Sequence, residues 1–468
     1  MPQKFLLKCD ISGIQGFIFD VPSDGAARQL KARSFYVFAL TEIAYEYFTQ
    51  KVAPPQLIYK GGGNFFAYFE TEKEKLGEAI QNFQKEFLQE NIFPAFAFIE
   101  SKGEFKEDMK QIAQKANTTK FQKPLYCEAY DYSPIKSEKW EEFTQYLVRS
   151  NGYVIKSEFQ KNNPFSKAGF TFELREKDAL QFEGKILNKM PIGKRGIVEF
   201  DEIAQKATGD KKLAALAMDV DNLGSLFRDK EENDYKLNSQ NLTSFFEKEI
   251  YNLLKTHIQE HYIYPVFSGG DDCFLVGAWD KILEIARLIQ NNFQNFAKNK
   301  NLPNTLSAGV VIVSPRFPMV RMAEEAENAL KTAKSNGKNA ICIFGEVLRW
   351  NEFEQAYKIA CELKKFVEAK ELSRNILHRL QSSELGFTSL QEQKAGKINF
   401  PRVHRLKYYL RNIDKDTPAR SYLEQLFENY KNALLTHFLK KPNAPNPALY
   451  VVAARWAELL TKSANTEN

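Results

Sequence analysis

The tetrapeptide Gly269-Gly270-Asp271-Asp272 lies between two apolar runs, residues 263–267 and 273–276, and its reading decides the fold of this 468-residue chain. Apolar segments on either side of Gly-Gly predict a β-hairpin whose tight turn leaves backbone room for a polyphosphate. Two adjacent carboxylates at that tip repel each other unless a cation neutralises them. About fifty residues upstream a second apolar strand, residues 213–218, runs into Asp219-Val220-Asp221. Alternation along a strand puts Asp219 and Asp221 on one face. Oxygen ligands on two neighbouring strands suit a hard, octahedral ion such as Mg²⁺ or Mn²⁺, and a pair of such ions is the usual clamp for nucleotidyl transfer.

The same order of elements occurs earlier in the chain. A strand at residues 5–9 ends at Asp10, a helix covers residues 32–48, and a hairpin is centred on Gly61-Gly62-Gly63-Asn64. A helix (residues 74–89), a strand (95–99) and a polar helix (107–116) complete this copy. The later copy reads strand to Asp219, helix 244–257, hairpin at Gly269-Gly270, helix 282–297, strand 306–313 and helix 319–335. This β-α-β-β-α-β order is the ferredoxin-like, or palm, arrangement. The expected fold class is therefore α+β, with two ferredoxin-like palm domains of the nucleotidyl cyclase kind packed together. The first copy lacks the second-strand carboxylates: against Asp271-Asp272 it offers Gly63-Asn64 or Asn64-Phe65, depending on register. Its glycines Gly61, Gly62 and Gly63, with Asn64, are expected to cradle phosphates without holding two metals. One palm is read as catalytic and the other as a platform.

Four regions follow: a first palm at 1–125, a small inter-palm domain at 126–210, a second palm at 211–347, and a C-terminal helical bundle at 348–468. The inter-palm segment shows short strands at 126–132 and 170–174 in an otherwise polar, turn-rich stretch. Helical periodicity marks residues 353–370, 372–380, 402–411, 421–439 and 448–461. The net charge of +6 belongs to the last region, where residues 351–468 carry 19 basic and 13 acidic side chains. A basic module of this kind suggests nucleic acid or an acidic partner, Arg402, Arg405 and Lys407 among its contacts. No apolar run is long enough to span a membrane, and no signal-peptide core opens the chain. Five cysteines (Cys9, Cys127, Cys273, Cys342, Cys361) lie far apart with no C-x-x-C pair, which predicts a reduced, cytoplasmic protein without disulfides or a thiolate zinc site.

Four separated motifs carry a family resemblance. Asp10-Ile11-Ser12-Gly13-Ile14-Gln15-Gly16-Phe17-Ile18-Phe19, followed by Lys31-Ala32-Arg33-Ser34-Phe35-Tyr36, resembles the first palm of the large, polymerase-like subunit of type III CRISPR effector complexes. Ala217-Met218-Asp219-Val220-Asp221-Asn222-Leu223-Gly224 and Ser268-Gly269-Gly270-Asp271-Asp272 resemble that family's second palm, and the stretch 450–460 resembles its last helix. The resemblance implies a target-RNA-activated synthase of cyclic oligoadenylates: the 3′-hydroxyl of one ATP attacks the α-phosphate of another and pyrophosphate leaves. It implies Asp219, Asp271 and Asp272 as the catalytic, metal-binding residues, with the Val220 carbonyl as a further ligand. Gly269, Gly270, Ser268 and Asn222 would contact nucleotide, and Lys334 and Lys338 would contact phosphate. An alternative role for these two lysines is to complement a helix C-terminus. Other subunits of the complex, guide RNA and target RNA are the implied partners.

Two departures from the family pattern stand out. The chain opens at the palm and contains no His-Asp dipeptide, so no nuclease activity is expected; His257 and His261 share a helical face and are read as structural. A four-cysteine zinc element is also not expected, since only Cys127 falls between the palms. Competing readings are AMP transfer from ATP to S-adenosylmethionine as co-substrate, a stand-alone nucleotide cyclase or diguanylate cyclase, a templated polymerase, and a non-enzymatic scaffold.

Overall fold

The strand Gln3–Ser12 is the axis of the N-terminal half, hydrogen-bonded on one side to Asn64–Thr71 and on the other to Phe93–Glu100. With Gln56–Gly61 beyond Asn64–Thr71, it makes a four-stranded antiparallel sheet. The second half repeats the pattern. Leu213–Val220 is flanked by Asp272–Ala278 and Leu306–Val313, with Tyr264–Gly269 outside the former. In both sheets the chain order across the first four strands is second, third, first, fourth, which is the expected palm topology. The second sheet continues through Ala340–Ile343, parallel to Leu306–Val313, and Glu346–Arg349, two strands beyond those predicted. The computed structural model describes residues 2–87, 91–119, 137–161, 163, 165–177, 179–182, 185–194, 196–383, 404–439 and 444–462.

Burial explains why the strand before Asp219 is continuously apolar and not alternating. Ala214, Leu216 and Met218 enter a core shared with Trp279–Asn299 and the C-terminal helices. Leu213, Ala215 and Ala217 enter another, shared with the long first-palm helix Ala26–Lys51. A sheet covered on both faces has no polar side to show. In the C-terminal region Trp350–Glu368 and Ala448–Thr461 pack along each other, and Trp456 stacks on Phe353. The closing helix is tied to the second palm by the Asp210 amide, which donates to the Leu459 carbonyl at 2.9 Å.

The segment between the palms is more regular than its composition suggests. Helix Ser137–Arg149 and a sheet built from Gly152–Lys156, Ser166–Lys167, Phe170–Arg175 and Leu180–Gln181 form it. Its phenylalanines interlock with those of Ala26–Lys51: Phe35 meets Phe143, Phe165, Phe172 and Phe182. The predicted strand at 126–132, Cys127 and Arg402 lie outside the described residues. Cys9, Cys273, Cys342 and Cys361 are free thiols.

Candidate active site between two palms

Backbone register fixes the correspondence between the copies. Asp10 pairs with Asn64, and Asp219 pairs with Asp272. Gly61 faces Asn64 across the first turn, and Gly269 faces Asp272 across the second. Asn64 is therefore the counterpart of Asp272, and Gly63 that of Asp271. Each outer strand also bulges three residues before its turn, at Ile58 and at Val266. The turns themselves differ. Gly62 and Gly63 both have positive φ, the pattern of a type I′ hairpin, whereas only Gly270 does in the second turn, the type II′ pattern. A type II′ turn accepts a non-glycine residue at its second central position, and Asp271 occupies it. The first turn excludes one: a Cβ on Gly63 would lie 2.6 Å from Ile14 Cδ1 and 3.2 Å from Val37 Cγ1.

The two turns meet across the interface, with a Cβ built on Gly62 only 3.9 Å from Gly270 Cα. Beside them lies a cavity of about 500 Å³ lined from all three neighbouring regions. Gly61, Gly62, Gly63, Ser268, Gly269 and Asp272 face it, as do Gln15, Lys31, Glu42, Lys60, Tyr153 and Glu247. Asn222 and Lys338 are not on its wall; they hold each other at the turn after Val220, Lys338 Nζ donating to Asn222 Oδ1.

Electrostatic stress concentrates on the second palm's carboxylates. Burial and the neighbouring Asp219 push Asp271 up to about 6. Burial, with Asp271 and Asp219 nearby, holds Asp272 well above the ordinary carboxylate range. Asp219 is also raised, first by burial, although Lys334 opposes it. Lys334 Nζ donates to Asp219 Oδ1 and stands 3.5 Å from the Val220 carbonyl. An ammonium thus already bridges the two second-palm oxygens, Asp219 and Val220, that the resemblance assigns to a cation. On the same helix Glu327 is raised by burial, and its side chain is hydrogen-bonded to Gln15 of the first palm.

Asp221 corrects the expectation drawn from strand alternation. The strand ends at Val220, and Asp221 turns inward, fully buried. Its carboxylate accepts from Thr305 Oγ1 and Ser307 Oγ at 2.7 Å and from the Asn339 amide at 2.9 Å. These bonds make it a structural pin under the turn. Ser268, named as a nucleotide contact, lines the cavity but donates its hydroxyl to the Phe246 carbonyl at 2.6 Å. That carbonyl belongs to a π-helical turn, Phe245–Glu249, inserted between Glu232–Ser244 and Ile250–Glu260.

The donor set fits a hard divalent cation: carboxylate oxygens of Asp219, Asp271 and Asp272, a backbone carbonyl, and net negative charge that burial makes costly. Among the described residues, no three His, Cys, Asp or Glu side chains converge into a full cage. Mg²⁺ ordinarily takes one or two carboxylates plus substrate phosphates, so a partial set is the appropriate one. No described helix is long and apolar enough to cross a membrane.

Lys31 opens one of the first-palm motifs, but sequence reasoning gave it no role. It is fully buried, and burial brings it down to about 7. Its Nζ donates to the Pro265 carbonyl, beside the bulge, at 2.9 Å and to the Ile186 carbonyl at 3.2 Å. A neutral amine has two N–H groups, matching those two acceptors. No sequence pattern marks a buried lysine whose partners are backbone carbonyls 155 and 234 residues away.

Comparison with known proteins agrees with this architecture. The family description "Cas10/Cmr2, second palm domain" matches residues 212–342, and "Csm1 subunit domain B" matches residues 3–126. The CRISPR system single-strand-specific deoxyribonuclease Cas10/Csm1 (subtype III-A) of Methanocaldococcus jannaschii is 26% identical over 78% of this chain and 62% of its own length. Its namesake in Streptococcus thermophilus is 25% identical over 89% of this chain and 63% of its own. The chain thus spans under two thirds of the length of these relatives. Solved Csm1-Csm4 cassettes in complex with pppApApA and with cA4 share the fold, with TM-scores of 0.75 and 0.74. They are 18% and 20% identical to this chain, and each match covers 98% of it and 70% of the neighbour. With two palm-region matches in order and relatives aligned over most of its residues, the chain belongs to the Cas10/Csm1 family of type III-A CRISPR large subunits.

Proposed function

We propose that the chain is a nucleotidyltransferase that builds a cyclic oligoadenylate from ATP. The observation that carries this reading is the direct pairing of Asp219 with Asp272, Asp271 beside them, at the edge of a cavity bounded by both glycine turns. Solved neighbours whose names include AMPPNP, ATP, cA3 and cA4 support it.

In this reading the donor ATP lies on the second palm and the acceptor on the first. The acceptor 3′-hydroxyl attacks the donor α-phosphorus, forming a phosphodiester and releasing pyrophosphate. Asp219, Asp271, Asp272 and the Val220 carbonyl would hold Mg²⁺ or Mn²⁺. Bound there, the cations would supply charge neutralisation at the attacking and leaving oxygens. The chain's own work is largely positioning and electrostatics. The Gly61–Gly63 and Gly269–Gly270 turns let phosphates approach the backbone, Lys334 adds positive charge beside Asp219, and Asp221 fixes the turn on which Val220 is presented. Asn222 and Lys338 are assigned to phosphate at the rim, not to the cavity.

The isolated chain is expected to be nearly silent, with target RNA bound by a type III complex raising the rate many-fold. The basic C-terminal region, through residues such as Arg405 and Lys407, guides the encounter with RNA or partner subunits. The test is to incubate the assembled complex with labelled ATP and Mg²⁺, with and without target RNA and S-adenosylmethionine, and to weigh the products. Cyclic oligoadenylates appearing only with target RNA confirm the proposal. A product containing S-adenosylmethionine replaces the acceptor assignment, and equal activity without RNA marks a stand-alone cyclase.

A further inference from the structure

We infer that Glu42 and Lys60 read the hydrogen-bonding edge of the adenine held in the first palm. The inference rests on the reading of the cavity as an adenosine nucleotide site, and it comes from comparing the two copies residue by residue. Lys60 pairs with Phe65 as Ser268 pairs with Cys273, so a lysine stands in the first palm where the second has serine. Ser268 gives its proton to the Phe246 carbonyl and has none for a ligand. Lys60 faces the cavity and donates to Glu42 Oε2 at 2.7 Å, and the Tyr153 hydroxyl donates to the same oxygen at 2.8 Å.

That geometry leaves an unusual residue. Glu42 sits on the long helix Ala26–Lys51, is 7% exposed and lines the cavity. Both described bonds fall on Oε2, and Oε1 has no hydrogen-bond partner among the described residues. That oxygen is not a buried orphan; it opens to the cavity, where a ligand N–H can reach it. The cavity also presents Val37, Phe38, Phe182 and Leu187, apolar and aromatic surface on which a flat base can lie. The site therefore offers one acceptor, Glu42 Oε1, next to one donor, Lys60 Nζ. Adenine presents the complement, an exocyclic amine beside an unprotonated ring nitrogen. Guanine in the same pose sets its carbonyl oxygen against Glu42 and its ring N–H against Lys60, two mismatches at once. Tyr153, reaching in from the inter-palm sheet, orients the carboxylate and is a positioning residue.

Calorimetric titration of the full chain with a non-hydrolysable ATP analogue and Mg²⁺ tests this, alongside the corresponding GTP and purine riboside analogues. The wild type is expected to bind two ATP equivalents, with GTP and the amine-less purine weaker at one of them. Glu42→Gln should weaken that one site about ten- to a hundred-fold, as loss of a charge-assisted hydrogen bond does, and abolish its preference for the exocyclic amine. Lys60→Ser, which gives the first palm the second palm's side chain, should weaken the same site and leave the other unchanged. Because Lys60 is partly exposed, this variant carries the test if Glu42→Gln fails to fold. Wild-type affinity and base preference at both sites in a folded variant overturn the inference while leaving the cavity a nucleotide site. A wild-type chain that binds no nucleotide overturns the wider reading and this one with it.

Discussion

The two palms share a strand order, a bulge three residues before each turn and a glycine pair at each tip, yet at the turns their carboxylate content differs by two side chains. Where the second has Asp271 and Asp272, the first has Gly63 and Asn64, opposite Asp10. The difference is conformational before it is chemical. The first turn needs positive φ at both central residues, and Ile14 and Val37 close the space a side chain would need at Gly63. The second turn needs it only at Gly270. In the proposed reading, a change of turn type separates the copy that would hold metal from the one that would serve as a platform.

The largest effect expected of that comparison is catalytic. Asp271→Ala together with Asp272→Ala should lower turnover by several orders of magnitude without loss of folding, since a metal clamp is worth several kcal/mol and each 1.4 kcal/mol is about tenfold. Product counting against circular dichroism decides it; wild-type rates would remove these residues from the site. Next, Gly63→Asp, which copies the second turn's sequence into the first, should cost about 1–3 kcal/mol of stability in a denaturant titration, from positive φ and contact with Ile14. A neutral outcome would mean that the first turn can adopt the second's geometry.

A smaller effect runs in the opposite direction. Asp271 has its carboxyl raised to about 6, so the folded state holds a proton that the unfolded chain has released. Stability in the absence of metal therefore falls as pH rises from about 4 to 6 and stays lower above that. Asp271→Asn should raise metal-free stability at pH 7.5 by on the order of 2 kcal/mol and flatten that acid-side slope. An unchanged melting profile would place Asp271 in water. Smallest is Asn64→Ala: it should weaken nucleotide binding by up to about tenfold while leaving Mg²⁺ affinity intact, and a lost metal site would mean that the platform copy holds ions after all.

Much of this was legible in the sequence because duplication supplies its own control. The strands at Leu213–Val220 and Leu306–Val313, the helix Met319–Ser335 and both glycine turns stand out by periodicity and composition. Asp221 misled because alternation holds only while the strand lasts, and this one ends a residue earlier. Of the described residues between the palms only the strand at 170–174 was legible; helix Ser137–Arg149 and the other strands hid behind turn-rich composition, because aromatics such as Phe143, Phe165 and Phe182 pack against another region's phenylalanines. The roles of Lys31, Glu42 and Tyr153 were invisible for a related reason. Their meaning lies in partners more than a hundred residues away, and single-chain periodicity carries no information at that distance.

The π-helical turn Phe245–Glu249 has a consequence for how such genes can change. The turn supplies the carbonyl that engages Ser268, and Glu247 within it lines the cavity and pairs with Lys185 at 2.8 Å. Each helical residue advances the chain by about 100°. Deleting one codon here would convert the turn to ordinary α-helix and rotate one flank against the other. The cover over Ser268 and the wall carrying Glu247 could not both survive. A change of length in this stretch therefore reaches the cavity wall even where every side chain is kept.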